Sequence, residues 1–205
     1  MINLYNADCL SAMLEMADNQ FDLAIVDPPY GIADNTTRGG SGSLKNRVLN
    51  LNADKFAKWD KVPTQQYFTE LMRVSKNQII WGGNYFDLPP TRCIICWDKK
   101  QPWPNFSQIE MAWTSYNSPA KIFKFDNRTK DKIHPTQKPT KLYAWLLSMY
   151  AKEGDTILDT HLGSGSIAIA CHDMGFDLTA YEIDEEYFAA ASNRLKQHQR
   201  QLKLF

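Results

Sequence analysis

The sequence predicts an α/β domain: a mostly parallel, twisted sheet with helices on both of its faces. Short apolar segments rich in Val and Ile alternate with segments of helical periodicity, which is the arrangement that gives parallel strands covered by helices. The chain has 205 residues, 22% of them charged and 43% hydrophobic, and contains no linker that would divide it. A single domain over residues 1–205 is therefore expected.

The individual elements follow from the apolar patterns in chain order. Strands are predicted at "INLYNAD", "FDLAIVD", "QIIWGG", "RCIICWD", "IEMAWTSY", "AKIFKF", "DTILD" and "LTAYEID". Helices are predicted at "CLSAMLEMA", "TQQYFTELMRVS", "TKLYAWLLSMYA", "SIAIACHDMG" and "EEYFAAASNRLKQHQRQL". Residues 31–58 are rich in Gly, Ser, Asn and Thr without sustained periodicity, and a loop of this length is usually functional or mobile.

The bulk properties argue against a membrane or secreted protein. No apolar run approaches the roughly 20 residues needed to span a bilayer. The N-terminus lacks the basic and apolar regions of a signal peptide, so we expect an intracellular, cytoplasmic protein without a membrane partner. The four cysteines do not form a disulfide framework, and the pair Cys93 and Cys96 is expected to be core residues rather than metal ligands, since these positions face opposite sides of a strand.

The charges are unevenly distributed although the net charge is zero. Residues 114–141 carry seven bases against two acids, and residues 31–61 carry six bases against three acids. A basic zone that meets a few phosphates would give these counts, and solvated loops would give them equally well.

A glycine turn between a predicted strand and a predicted helix indicates a nucleoside-type ligand. Gly163, Ser164 and Gly165 would let a ligand approach the backbone and the helix N-terminus. Glu182 ends the next strand, 17 positions beyond Gly165, where an acid commonly binds ribose hydroxyls. NAD and S-adenosylmethionine both suit this pattern, so these residues alone leave the cofactor open.

The segment Asp27-Pro28-Pro29-Tyr30 ends a buried strand on a carboxylate. On one interpretation the prolines merely stop the strand. On the other, proline carbonyls and a carboxylate form a group of acceptors without donors, which suits an –NH₂ group on a planar base. Acceptance of both amino hydrogens by Asp27 and the Pro28 carbonyl would favour a nitrogen with an available lone pair. Tyr30 would stack on the base, which must first be flipped out of a duplex.

Three candidate residues stand at or just after the ends of predicted strands: Asp27, Gly163 and Glu182. In open α/β sheets ligands bind beyond the carboxyl ends of the parallel strands. We therefore expect these residues to converge, although they are far apart in the sequence.

The order of the motifs resembles that of the permuted β group of DNA amino-methyltransferases. Asn6-Ala7-Asp8, D-P-P-Y, H-P-T-Q-K-P, L-D-T-H-L-G-S-G-S and A-Y-E-I-D follow one another and span residues 6 to about 195. The resemblance implies a Rossmann-like methyltransferase fold with a circularly permuted motif order. It also implies a catalytic half at residues 1–113, a short target-recognition segment at 114–133 and a cofactor-binding half at 134–205.

The same resemblance implies S-adenosylmethionine as the cofactor, and in-line displacement at its sulfonium methyl without a covalent enzyme intermediate. Asp27 would serve both the cofactor and the target amine. The other implied cofactor contacts are Asp8 and Cys9 at the adenine, Glu182 at the ribose, Asp159, Gly163, Ser164 and Gly165 around the glycine turn, and Thr136 and Lys138 at the methionine end.

The chain departs from the family in two places. Many relatives carry a Phe after D-P, whereas this chain has His161, which we expect to pack as a neutral ring rather than to act in catalysis. The region before His134 is also short, so base reading falls to the loop at 31–61, to the short segment or to a partner. The candidate DNA contacts are Arg38, Arg47, Lys121, Lys124 and Arg128, and a short or loosely specified recognition site is predicted.

The implied substrate is DNA, expected to be double-stranded, with adenine N6 favoured because the D-P-P-Y form leans to adenine and S-P-P-Y to cytosine. The acceptors themselves suit cytosine N4 equally well. The sequence also leaves open a non-catalytic subunit that needs a partner, a homodimer, or an enzyme that methylates RNA or a protein glutamine.

Overall fold

The computed structural model describes residues 1–32, 60–102, 107–126, 133–134 and 136–201. In these ranges the strands are β1 (Ile2–Tyr5), β2 (Phe21–Val26), β3 (Ser75–Trp81), β4 (Ile94–Asp98), β5 (Ile109–Thr114), β6 (Lys121–Lys124), β7 (Thr156–Asp159) and β8 (Asp177–Tyr181). The α-helices there are α1 (Cys9–Leu14), α2 (Gln65–Val74), α3 (Thr140–Tyr150), α4 (Ser166–Met174) and α5 (Glu185–Arg200). The predicted loop over residues 31–58 lies almost entirely outside the described residues.

The strands form one sheet in the order β1-β8-β7-β2-β3-β5-β4-β6. Neighbouring strands run parallel except at β5, which is antiparallel to both β3 and β4. The predicted fold class, a mostly parallel sheet, is thereby confirmed.

Each face of the sheet has its own apolar core, because alternate residues of a strand point to opposite faces. Leu23 and Ile25 of β2 belong to the core that contains buried residues of α3 and α4. Ala24 and Val26, their neighbours on the same strand, belong to the core that contains buried residues of α1 and α2. Helices therefore cover both faces, as predicted.

The predicted boundary between α2 and β3 is wrong by several residues. The sequence pattern predicts a helix that reaches Ser75 and a strand that starts near Gln78, whereas β3 begins at Ser75 directly after the helix. Ser75 is extended and pairs with Phe21 of β2, and its hydroxyl donates to the carbonyl of Leu71 in the last turn of α2. One serine thus ends the helix and starts the strand.

Two further expectations concern cysteines and membranes. Cys93 is buried and Cys96 is half-buried, which agrees with a core role. The described residues contain no cluster of three His, Cys, Asp or Glu side chains suited to a metal ion. None of the helices in the described ranges has the length and apolar character that a membrane span requires.

Candidate active site

Two cavities open at the carboxyl end of the sheet, and Asp27 lines both of them. The larger has a volume of about 490 Å³ and is lined by residues that follow β1, β2, β7 and β8. The smaller has a volume of about 270 Å³ and is lined by residues that follow β2, β3 and β4 and by the start of β5. Pro29 and Thr136 also line both. The predicted acceptor group therefore lies at the junction of the two cavities.

The larger cavity brings together most of the residues that the resemblance implied for the cofactor. The predicted convergence of Asp27, Gly163 and Glu182 is confirmed. The lining includes Asp8, Cys9, Asp27, Thr136, Lys138, Gly163, Ser164 and Glu182.

Two of the implied cofactor residues, Asp159 and Gly165, do not line this cavity. Asp159 is 2% exposed and accepts a hydrogen bond from the backbone N of His161 at 3.0 Å. Gly165 has a φ of +71°, and a Cβ there would lie 3.1 Å from the Cβ of Ala191 on α5. Gly165 therefore allows the turn and the close packing of α5, while Gly163 and Ser164 face the cavity.

The glycine turn fixes the carboxylate of Glu182. One of its oxygens, Oε2, accepts from the backbone N of Gly163 at 2.9 Å, and Oε1 accepts from the backbone N of Asp184 at 2.9 Å. Burial raises the pKa of Glu182 above its usual range. A carboxylate oxygen has two lone pairs, so each oxygen can still accept a hydroxyl from a ligand in the cavity.

The segment after β1 lines one side of the larger cavity and supplies no reactive group. Asp8 caps α1 by accepting from the backbone N of Ser11 at 2.7 Å. Burial raises the pKa of Cys9 to about 12, so its side chain is a neutral thiol at physiological pH. Asp8 and Cys9 are suited to packing against a ligand.

His161 packs as a neutral ring, as predicted. Its edge lies against Tyr67 with 5.5 Å between ring centroids, and its Nδ1 is 2.9 Å from the hydroxyl of Thr160. Burial lowers the pKa of His161 to about 4. The Thr160 hydroxyl is also 2.6 Å from the Tyr67 hydroxyl, so this group forms a buried polar network beside the cavity.

The buried carboxyl of Asp159 should make the stability of the unliganded protein pH-dependent. Burial raises its pKa from 3.8 to about 8. The protonated form therefore contributes stability that is complete below about pH 4 and is lost as the pH rises to about 8. We expect the free energy of unfolding in urea to fall by at least about 2 kcal/mol more between pH 5 and pH 8 in the wild type than in Asp159→Asn. Equal changes in the two proteins would contradict this assignment.

Both oxygens of Asp27 are engaged by side chains. The Tyr30 Oη donates to Oδ1 at 2.5 Å, and the Lys138 Nζ donates to Oδ2 at 2.5 Å. Burial holds the pKa of Tyr30 well above its usual range, so the phenol keeps its proton and acts as a donor. Lys138 was implied as a contact of the cofactor's methionine end; in the structure its side chain lines the larger cavity and its ammonium contacts Asp27.

Tyr30 lines the smaller cavity, where it was predicted to stack on a base. One face of its ring is stacked on Tyr85, with centroids 5.1 Å apart and planes inclined by 15°. Gly82 makes room for the ring: its φ is +70°, and a Cβ there would lie 2.2 Å from Tyr30 Cε1.

Replacing Gly82 by alanine should destabilise the protein strongly, because the added methyl group collides with Tyr30. We expect a loss of about 3 kcal/mol in the free energy of unfolding, from strain at positive φ together with overpacking. Gly154→Ala is the matched control, since Gly154 has a φ of +87° but no atom within 4 Å of the added Cβ. That control should lose only about 1 kcal/mol. Equal losses in urea unfolding would rule out the steric part of this explanation.

Sequence reasoning missed a second lysine–carboxylate pair, which is half-buried in the smaller cavity. Glu110 contacts Lys99 and lies with its Oε2 3.0 Å from Lys138 Nζ. Two features of the sequence could have indicated this pair: Glu110 interrupts an apolar strand, and Lys99 directly follows one. Further residues that sequence reasoning did not assign to the site line the larger cavity, among them Lys61, Tyr67, His134, Asp184 and Tyr187.

The candidate DNA contacts are only partly described: Arg38, Arg47 and Arg128 lie outside the described residues. Lys124 ends β6 and pairs in register with Asp98, so it stands at the carboxyl end of the parallel strands, as Asp27 does. Lys121 starts β6 and stands at the opposite end of that strand. Lys124 is therefore the better placed of the two.

The donor and acceptor groups of the larger cavity suit a cationic nucleoside. Glu182 offers acceptors to hydroxyls, Asp27 offers a negative charge to an ammonium or sulfonium group, and Lys61 offers a positive charge to a carboxylate. Leu10 and Ile183 supply apolar surface for a planar base. The sheet order and the cavity together agree with a Rossmann-like methyltransferase fold.

Comparisons with known proteins find similar DNA methyltransferases. A family model described as DNA methylase matches residues 97–193. The Type II methyltransferase M.HpaI of Haemophilus parainfluenzae is 22% identical over 230 residues, which cover 92% of this chain and 72% of that protein. The crystal structure of the M1.HpyAVI–SAM complex matches at a TM-score of 0.57 and 20% identity, covering 95% of this chain and 100% of that chain. The PvuII DNA methyltransferase, described as cytosine-N4-specific, matches at a TM-score of 0.66 and 12% identity, covering 100% of this chain and 88% of that chain.

These matches confirm the resemblance that the motifs indicated. The chain resembles the DNA methylases of the N6/N4 amino-methyltransferase class and has the Rossmann-like methyltransferase fold.

Proposed function

We propose that this chain transfers a methyl group from S-adenosylmethionine to the exocyclic amine of a base flipped out of duplex DNA, with adenine N6 favoured over cytosine N4. The observation that carries the proposal is the position of Asp27, which lines a cavity suited to the cofactor and a second cavity of about 270 Å³. A base in the second cavity and a cofactor in the first would meet at this carboxylate.

The residues of the chain then have distinct tasks. Asp27 and the Pro28 carbonyl accept the two hydrogens of the amine, which leaves the nitrogen lone pair free to attack. S-adenosylmethionine supplies a methyl group activated by its sulfonium. Once methylated, the amine nitrogen would carry a positive charge and release a proton, which the Asp27 carboxylate could accept because it lines both cavities. Positioning and electrostatics supply the catalysis, without a covalent bond to the enzyme.

The cofactor contacts are assigned on the geometry of the larger cavity. Glu182 holds the ribose hydroxyls with a carboxylate that Gly163 and Asp184 already orient. The cavity wall at Asp8 and Cys9 lies against the adenine. Thr136 lines both cavities and is assigned, as in the sequence resemblance, to the methionine end. Lys61 is a better candidate than Lys138 for the methionine carboxylate, since Lys138 already has two carboxylate partners.

DNA binding is supported by lysines at the same end of the sheet as the smaller cavity. Lys100 follows Lys99, which lines this cavity and is paired with Glu110, and Lys124 stands opposite Asp98. Such residues can neutralise phosphates beside a flipped base. With the short segment at 114–133 as its recognition region, the enzyme should read a short or loosely specified site.

The preference for adenine N6 over cytosine N4 rests on the D-P-P-Y form of the catalytic segment. Cytosine N4 is the second candidate, since the PvuII enzyme, a structural neighbour, is described as cytosine-N4-specific. Asp27 and Pro28 offer the same acceptors to both amines, so the chemistry of the acceptors does not choose between them.

A direct assay tests the proposal. The purified chain is incubated with methyl-labelled S-adenosylmethionine and, in parallel, with random-sequence duplex DNA, RNA or a glutamine-containing protein extract. We expect label in DNA alone, and in N6-methyladenine after digestion to nucleosides. Label in N4-methylcytosine would select the second candidate. Label in RNA or protein would contradict the DNA assignment, and the absence of label without an added partner would indicate a non-catalytic subunit.

A further inference from the structure

Four charged side chains form a continuous alternating chain between the two cavities. Lys99 contacts Glu110, the Glu110 Oε2 lies 3.0 Å from the Lys138 Nζ, and the Lys138 Nζ lies 2.5 Å from Asp27 Oδ2. Lys138 is only 3% exposed. Its ammonium is therefore held by two carboxylates at the boundary where the target amine and the cofactor would meet.

This arrangement conflicts with the role of Asp27 in the unliganded protein. The Lys138 ammonium occupies Oδ2, while the Tyr30 hydroxyl occupies Oδ1. An ammonium in contact with a carboxylate competes with an incoming amine for the same lone pairs and withdraws the negative charge that the amine needs. Movement of Lys138 away from Asp27 therefore favours methyl transfer.

If Lys138 moves away from Asp27, its ammonium needs another partner, because a buried and unpaired ammonium costs a large amount of free energy. Glu110 offers a second carboxylate that the ammonium already approaches, so a short displacement exchanges one partner for the other. Lys99 supports this role: the positive charges of Lys138 and Lys99 lower the pKa of Glu110 below its usual value despite its burial, which keeps it ionised.

We propose that Glu110 is a positioning residue that takes the Lys138 ammonium when the target amine binds Asp27, and that Lys99 keeps Glu110 in place for this exchange. The inference rests on the proposed methyl transfer. It predicts that Glu110 affects the transfer step and has little effect on the binding of the cofactor.

The test compares Glu110→Gln with Glu70→Gln. Glu70 is a matched control because its carboxylate also pairs with a basic residue, Arg73, and it lines neither cavity. We expect the single-turnover rate of methyl transfer to fall about 100-fold in Glu110→Gln, whereas the Kd for S-adenosylmethionine stays within about threefold of the wild type. Glu70→Gln should change neither quantity by more than about threefold.

A double-mutant cycle with Lys138 separates positioning from a structural role. In a Lys138→Met background there is no ammonium to move, so Glu110→Gln should change the transfer rate by less than about threefold. Glu110→Gln alone leaves the buried Lys138 ammonium with one carboxylate partner fewer and could therefore unfold the protein. The double variant has no ammonium at that position, so it can still be compared with Lys138→Met if the single variant does not fold.

The outcomes distinguish the inference from the function on which it rests. If the wild type methylates no DNA, the proposed function fails and the inference with it. If the wild type is active and Glu110→Gln behaves like Glu70→Gln, only the inference fails. The inference is also overturned if Glu110→Gln lowers the transfer rate equally in the presence and absence of Lys138.

Discussion

Asp27→Ala should lower the rate of methyl transfer to DNA by at least about 1000-fold while the protein stays folded. The variant removes the acceptor that lines both cavities, and the loss of one preorganised group at a reacting centre typically costs about 100- to 1000-fold. Because Asp27 also lines the cofactor cavity, we expect the transfer rate to fall by about 1000-fold or more, at or above the upper end of that range. Lys138 retains Glu110 as a partner, and therefore no buried ammonium is left alone.

The measurement is single-turnover transfer of labelled methyl groups, with thermal unfolding of each variant as the check on folding. Asp87→Ala is a suitable control, since Asp87 is an exposed carboxylate outside both cavities. Asp27→Asn adds a variant of the same size, which keeps one acceptor oxygen but loses the charge, and should be intermediate. Transfer by Asp27→Ala at the wild-type rate would show that the D-P-P-Y segment has no catalytic role.

Glu182→Gln should weaken the binding of S-adenosylmethionine about 10- to 100-fold, with a smaller effect on the transfer step at saturating cofactor. A hydrogen bond to a charged group contributes about 1.5–3 kcal/mol, which corresponds to this range. The amide also replaces one acceptor by a donor, so it can no longer accept from the backbone N–H groups of both Gly163 and Asp184. The turn that shapes the cavity is thereby loosened.

Isothermal titration calorimetry with the cofactor alone measures this effect. Glu185→Gln provides the control, because Glu185 is an exposed carboxylate three positions away at the start of α5. We expect its Kd to stay within about threefold of the wild type. Wild-type affinity in Glu182→Gln would mean that the carboxylate does not contact the cofactor.

The convergence of Asp27, Gly163 and Glu182 could be predicted because it depends only on topology. Each residue follows a strand with a recognisable apolar pattern, and the strands of a parallel sheet bring their carboxyl ends to one edge. No side-chain geometry is needed for that inference. The same reasoning predicts the cofactor cavity at the glycine turn.

The partners of Lys138 could not be predicted in the same way. Lys138 and Asp27 are 111 positions apart, and Glu110 reaches them from β5, the one antiparallel strand of the described sheet. Which face of the sheet a residue of β5 points to depends on the register of that strand, and a shift by one residue reverses it. The sequence motif therefore indicated that Lys138 has a function without indicating which group it contacts.

Gly165 illustrates a different limit of motif reading. The glycine turn predicts ligand contact for all of its members, yet the backbone has its own need for glycine. At Gly165 the positive φ and the nearness of Ala191 account for the residue without any ligand. Gly163 belongs to the motif and lines the cavity, whereas Gly165 belongs to the motif but does not line the cavity.

A structure of the protein in complex with S-adenosylmethionine and duplex DNA would test the central claim most directly. The claim is that Asp27 joins a cofactor cavity to a base cavity. We predict that the flipped base occupies the cavity beside Tyr30, with its exocyclic amine within hydrogen-bonding distance of the Asp27 carboxylate and the Pro28 carbonyl. A base bound elsewhere, or one whose amine faces away from Asp27, would contradict the claim.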